Sequence, residues 1–184
     1  MKKFTFSLCA ALTLCGAADA RDLVAYYSRS GNTEIVAKKI AEITGADLYK
    51  IETADANHYP ADYTETTVVA KQEITDGTLP AINATPDLSQ YDTIYVGTPC
   101  WWGTMASPVR TFLTNNNFDG KTIAPFDTHG GSGAGNVFTD IEKLTPNATH
   151  RDGVAIYGTS ASSSDETLKT WLGKTDTGPR NDNT

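Results

Sequence analysis

Cysteine is scarce in this chain: 184 residues hold three. Cys9 and Cys15 lie in an N-terminal stretch that reads as a removable leader, so Cys100 is left alone and an internal disulfide is excluded. No basic residue adjoins Cys100 in the sequence, and it reads as a small, semi-buried thiol rather than a nucleophile. Positive charge is also in short supply. Once Lys2, Lys3 and Asp19 leave with the leader, 13 basic residues face 21 acidic ones, a formal charge of −8. Such a surface repels nucleic acid and anionic lipid. After the leader, no apolar run is long enough to span a bilayer. The acidic residues are scattered without ligand spacing, which predicts no metal. There is no internal repeat and no low-complexity block.

The leader itself has a specific order. Lys2-Lys3 form a basic start, residues 4–16 an apolar run too short to cross a membrane, and Ala18-Asp19-Ala20 a small-x-small cleavage pattern. This reads as a signal peptide cut before Arg21 and predicts a protein exported to the periplasm or secreted. One domain is expected over residues 21–174, followed by a polar, flexible tail over 175–184.

Within that domain apolar runs alternate with helical patterns. Strands are expected at 23–27, 47–51, 91–97, 121–126 and 154–158. Helices are expected at 33–43, at 109–113 behind a Ser107 cap and Pro108, at 136–144, and at 164–172 with Ser164 as cap. Residues 53–87 form a longer crossover that carries Tyr59, Tyr63 and a weak helical stretch at 64–74. The alternation predicts an α/β fold, a doubly wound parallel sheet of five strands covered on both faces, with ligands at the carboxyl ends of the strands.

Three loops fall at those ends. The first, Ser28-Arg29-Ser30-Gly31-Asn32-Thr33, joins a strand to a helix, where unpaired amides and the positive end of the helix dipole receive an anion. The second, Thr98-Pro99-Cys100-Trp101-Trp102-Gly103-Thr104, offers two tryptophans for stacking on a flat ring. The third runs from Asp127 through His129, Gly131, Ser132 and Gly133 to Asn136. Its glycines let the backbone approach a ligand closely. A phosphate site, an aromatic wall and a bare-backbone wall describe a pocket for a mononucleotide-like cofactor.

The run Ser28-x-Ser30-Gly31-Asn32-Thr33 resembles the FMN phosphate loop of the flavodoxins. Gly97-Thr98-Pro99-x-Trp101-Trp102-Gly103 and Gly131-Ser132-Gly133 resemble the two flavin-ring loops of that group. The resemblance covers essentially all of the chain after the leader. It implies a flavodoxin-like sheet in the order 2-1-3-4-5 and FMN as cofactor. It places Ser28, Ser30, Asn32 and Thr33 on the phosphate through hydroxyls and amides, with Arg29 assisting electrostatically. Trp101, Trp102 or their backbone would border the ring. The implied partner is a redox protein or a small electron acceptor such as a quinone. The acidic surface would lower the flavin's potential and steer a basic partner. This chain departs from the family in its leader. It also lacks a tyrosine in the third loop, where His129 or Tyr59 would substitute or the flavin face would stay open.

Other readings compete. The first loop could be an ordinary helix cap. Of the adjacent tryptophans, one is expected at the ligand and one packed inward. Tyr59 and Tyr63 read as packing residues, His58 and His150 as surface histidines, and His129 as either a surface or a ligand residue. Within the redox class, the alternative to an electron carrier is an FMN-dependent NAD(P)H:quinone-type oxidoreductase. Outside it stand a small serine hydrolase using Ser132 with His150 and Asp165, and a flavin-free binding scaffold.

Overall fold

The computed structural model describes residues 21–175. The expected leader and residues 176–184 of the expected tail lie outside them. Strands β1 (Asp22–Tyr26), β2 (Asp47–Lys50), β3 (Thr93–Trp101), β4 (Thr104–Met105), β5 (Thr122–His129), β6 (Thr149–His150) and β7 (Val154–Tyr157) alternate with helices α1 (Asn32–Thr44), α2 (Tyr63–Asp76), α3 (Ser107–Asn115), α4 (Val137–Leu144) and α5 (Asp165–Thr175). β2, β1, β3 and β5 lie side by side and parallel, and β6 and β7 both pair with β5.

The expected order 2-1-3-4-5 is therefore present, with the strand count corrected from five to seven. The last strand is broken into β6 and β7. The carbonyl of Asp152, between them, accepts from Trp171 Nε1 at 2.6 Å instead of joining the ladder. A Cβ on the next residue, Gly153, would lie 2.7 Å from the Phe138 ring. The second addition is β4, a short antiparallel return on the end of β3.

The strands bury both faces, as a parallel sheet between helices must. Leu23, Ala25, Ile94, Val96 and Ile123 pack with Val109, Phe112 and Leu113 of α3 and with Val137 and Ile141 of α4. The alternate residues Val24, Tyr26, Tyr95, Ala124 and Phe126 pack with Val36, Ala37 and Ile40 of α1 and with Leu168, Trp171 and Leu172 of α5. Each large side chain so buried contributes about 1.5–3 kcal/mol over leaving it exposed. At Gly97, in the middle of β3, a Cβ would sit 2.1 Å from the Phe126 ring, so that ring fills the space a side chain would need.

Some local expectations need correction. β3 continues to Trp101 because Thr98 and Pro99 still pair with Asp127 and Thr128 of β5, so the expected loop 98–104 is a hairpin. The α3 cap is Ala106, not Ser107, and Ser107 and Pro108 occupy the first helical positions. Ser164 does not cap α5 with its side chain; its hydroxyl donates back to Ala161 O at 2.8 Å. α5 runs on to Thr175, the first residue of the expected tail.

Candidate functional site

β1 delivers the chain to the carboxyl edge of the sheet, and the tight turn at Ser28–Gly31 starts α1 there. Gly31 N donates to Ser28 Oγ at 3.1 Å, and Gly31 is the residue before the helix, with φ +92°, a conformation that only glycine adopts freely. No side chain caps α1. Its first-turn amides and dipole are thus left to the space above the sheet. Glu34, in that first turn, is held by Lys38 at 2.6 Å, and this pairing lowers its carboxyl pKa. Ser30 is exposed, while Asn32 nestles against Gly158, where a Cβ would lie 2.6 Å from Nδ2. Thr33 is buried, and its hydroxyl bonds Thr128 Oγ1 of β5 at 2.8 Å. That bond ties the start of α1 to the centre of the sheet.

The other two loops meet backbone to backbone. Asn136 N donates to Gly103 O at 2.7 Å, and a Cβ on Gly135 would lie 2.6 Å from the same oxygen. Cys100, half-buried, adds a second link: its thiol reaches Ala134 O at 3.6 Å and receives Ser132 Oγ at 3.7 Å. Burial pushes the thiol pKa up, which agrees with a structural cysteine. Thr98 is fully buried; its hydroxyl accepts from Ala106 N at 3.0 Å and donates to Pro99 O at 3.0 Å, fixing the start of α3. His129 Nδ1 accepts from Gly131 N at 3.1 Å, and its ring lies 5.8 Å from that of Tyr157. Ser132 is exposed, and Gly131 and Gly133 both have positive φ.

The two tryptophans separate as expected. Trp101 packs edge-on against Tyr27 (5.5 Å) and Tyr59 (5.1 Å). Trp102 turns outward and is 57% exposed, with φ +51°, the one positive-φ residue other than glycine among those described. Its Nε1 donates to Thr67 O of α2 at 3.1 Å, and Lys71 Nζ lies 4.8 Å from its ring centre. A bulky residue in the left-handed region is strained, and contacts of this kind hold it there. Beneath it is a cavity of about 300 Å³ lined by Arg29, Tyr63, Thr66, Ala70, Cys100 and Trp102. A cavity of about 890 Å³ between α4 and α5 includes none of the predicted site residues.

Arg29 bends away from the α1 amides. Its guanidinium donates to Ala61 O at 2.9 Å and lies 5.7 Å from the Tyr63 ring centre. It anchors the irregular segment ahead of α2, which Glu73 holds from below. Glu73 is buried and accepts from Tyr59 OH at 2.7 Å while pairing with His58 Nε2 at 2.5 Å. Tyr59 accordingly has its phenol pKa driven far upward, by burial first and by Glu73 second. His58 is thus a partnered histidine and not a free surface one, and His150 likewise bonds Thr145 Oγ1 at 2.8 Å. Sequence reasoning missed Glu73, whose only signal was an acid on the inner face of a weakly amphipathic helix.

It also passed over the role of Asp127. This residue is fully buried at the end of β5, and neither carboxylate oxygen has a hydrogen-bond partner. Desolvation pushes its pKa up to about 7. A lone acid in the run Ile-Ala-Pro-Phe-Asp-Thr was the available signal.

The hydrolase arrangement is not assembled. Ser132 bonds Gly133 O and Cys100, His150 bonds Thr145, and Asp165 pairs with Lys39 at 2.6 Å. What the edge does offer is an uncapped helix start beside a hairpin and a glycine-rich loop.

Comparison with known proteins agrees with this architecture. A family model described as flavodoxin matches residues 21–175. A protein of Bacteroides uniformis assigned as a flavoprotein superposes with a TM-score of 0.74 at 32% identity, over 84% of this chain and 99% of its own. The flavoprotein of Lactobacillus acidophilus, solved in complex with FMN, gives 0.66 at 26% identity over 83% of this chain and 99% of its own. An NAD(P)H dehydrogenase (quinone) of Chromohalobacter salexigens is 36% identical over 97 residues, which span 49% of this chain and 44% of that relative. The match therefore covers less than half the length of the curated relative. With its family model spanning every described residue, the chain belongs to the flavodoxin family.

Proposed function

We propose that this protein holds FMN above the carboxyl ends of β1, β3 and β5 and exchanges electrons with a partner outside the cytoplasm. The observation that carries the cofactor reading is the start of α1, a helix N-terminus at a strand end with no side-chain cap and no acid in residues 28–33. That is the chemistry a phosphate requires. Bound FMN supplies the redox chemistry itself.

The chain's own residues bind and orient. Ser28, Ser30 and the first amides of α1 take the phosphate. Trp102 and the backbone of Gly131–Gly133 border the ring. Trp101, locked between Tyr27 and Tyr59, braces the hairpin that presents Trp102. Thr33–Thr128 and Gly103–Asn136 fix the three loops relative to one another, which limits the ordering cost of binding.

Electron exchange with a protein needs only an exposed ring edge, and the acidic surface favours a basic partner. A second reading, reduction of quinones with NAD(P)H, has its own support in the Chromohalobacter relative and in the 300 Å³ cavity under Trp102. Export rests on the order of residues 1–20 and requires the cell to load FMN before or after translocation.

The test begins with purified apoprotein titrated with FMN. Quenching of flavin fluorescence with a micromolar or tighter Kd supports the cofactor; no uptake refutes it. NADH oxidation that depends on added quinone then favours the reductase, and its absence favours the carrier. Cell fractionation with N-terminal sequencing tests export: a mature chain beginning at Arg21 is expected, and an intact cytoplasmic chain refutes it.

A further inference from the structure

Among the described residues, Asp127 is the one whose buried side-chain atoms have no hydrogen-bond partner, and both of its oxygens are affected. It lies on the same face of β5 as Ile123 and Pro125, the face covered by α3 and α4, because Phe126 and Thr128 turn to the other side. In register it stands between Thr98 of β3 and Ala155 of β7, near the carboxyl end of β5 and two residues before the glycine loop. An ionised carboxylate with no partner and no solvent is disfavoured there, and a neutral acid is not.

The titratable side chains on the strands beside it and the helices over it are Tyr95 and Cys100 on β3, His129 on its own strand, Tyr157 on β7, Arg110 on α3, and Asp140, Glu142 and Lys143 on α4. Tyr95 packs on the opposite face of the sheet. Asp140 is engaged by Thr104 Oγ1 at 2.7 Å and Lys143 at 2.8 Å. The opposite face of β5 meets the Thr33 hydroxyl of α1. The negative charge of Asp127 is felt at the Cys100 thiol, whose pKa it raises. No cation neutralises it, and its own pKa is pushed up to about 7 by desolvation alone.

We propose that Asp127 is a proton-holding positioning residue under the flavin loops, whose proton is bound more tightly when negative charge is placed above it by the cofactor. The inference rests on the FMN reading and deepens it. Linkage is reciprocal: an anionic ligand that favours protonated Asp127 is itself bound better when Asp127 is protonated. Asp127 does not touch the ligand, since its side chain has no access to the surface. It acts through the charge beneath the loops.

The experiment is FMN binding to apoprotein measured by calorimetry from pH 6 to pH 8, in two buffers of different ionisation enthalpy, for the native chain and Asp127→Asn. The cofactor's own phosphate titrates identically in both proteins, so the difference between them reports Asp127. The native chain is expected to take up about half a proton per FMN more than the variant near pH 7. Its affinity relative to the variant should fall about tenfold across the range. Equal proton uptake and parallel affinity curves overturn the proposal while leaving FMN binding intact. Failure of the native chain to bind FMN at any pH overturns the cofactor reading instead. Carboxyl 13C shifts of the native apoprotein need no variant. A titration of Asp127 centred near pH 7 is expected, and one below pH 5 overturns the proposal even if the variant fails to fold.

Discussion

Two buried acids divide this molecule into a closed region and an open one. Glu73, under the segment ahead of α2, has both oxygens engaged by His58 and Tyr59. Asp127, under the flavin loops, has neither engaged. The helix starts repeat the contrast. α2 is capped by Asp62, whose carboxylate accepts from Glu65 N at 2.9 Å, whereas α1 has no side-chain cap. Polar groups around α2 satisfy one another and make architecture. At the top of β5 and α1 the hydroxyls of Thr33 and Thr128 do the same, but Asp127 and the first amides of α1 have no such side-chain partner, and an unsatisfied buried group in a native fold marks a place where function has displaced stability.

The largest break in that contrast is expected from Asp127→Asn. The folded pKa lies near 7, above the ordinary value of 3.8. The stability Asp127 allows is therefore fully present below about pH 4 and is lost as pH rises through 7. Between pH 4 and pH 8 the native chain should lose as much as ~4 kcal/mol relative to the variant. Urea denaturation at the two pH values checks this, and parallel stability curves would contradict it. Glu73→Ala works in the opposite sense. It leaves the Tyr59 hydroxyl and the His58 ring without their acceptor, and should cost about 3 kcal/mol near pH 7. A loss below 1 kcal/mol in the same assay would show that the closed region is not closed by Glu73.

The two regions were unequally legible in the sequence. The alternation of apolar runs was enough for a parallel sheet covered on both faces, because strands buried on both faces are continuous apolar segments, while the strand order was implied by the resemblance of the three loops to those of flavodoxins. The three loops were legible because Gly, Ser and Trp cluster at strand ends. The break between β6 and β7 was not, since it depends on Trp171 reaching a carbonyl 19 residues away in the chain. The partners of Arg29 were equally hidden. A cation in a phosphate-like loop suggests the phosphate, and only the folded crossover shows it occupied with Ala61. Asp127 and Glu73 look alike as letters, and the difference between them lies wholly in what the fold places within 3 Å of each.

Ser30→Asp would make the open helix start resemble the closed one. A carboxylate beside the α1 amides supplies its own cap and repels phosphate. FMN affinity should fall about thirtyfold, ~2 kcal/mol, with the melting temperature unchanged or raised. Fluorescence titration of FMN into apoprotein reads the first and a thermal melt the second. Affinity within threefold of the native value would place the phosphate elsewhere.

Asp62→Ala is the smallest effect and the sharpest control, because it opens the closed helix start without touching the three loops. Removing the side-chain cap should cost about 1 kcal/mol of stability. The neighbouring Ala61 carbonyl and the Tyr63 ring still receive Arg29, so the segment stays anchored from the cofactor side. FMN affinity is therefore expected within twofold of the native value, measured by the same titration. If affinity instead falls as far as in Ser30→Asp, the start of α2 takes part in binding, and the cavity between α2 and Trp102 belongs to the cofactor rather than beside it. Stability lost without affinity in Asp62→Ala, and affinity lost without stability in Ser30→Asp, is what separates a helix start left open for a ligand from one whose cap is architecture.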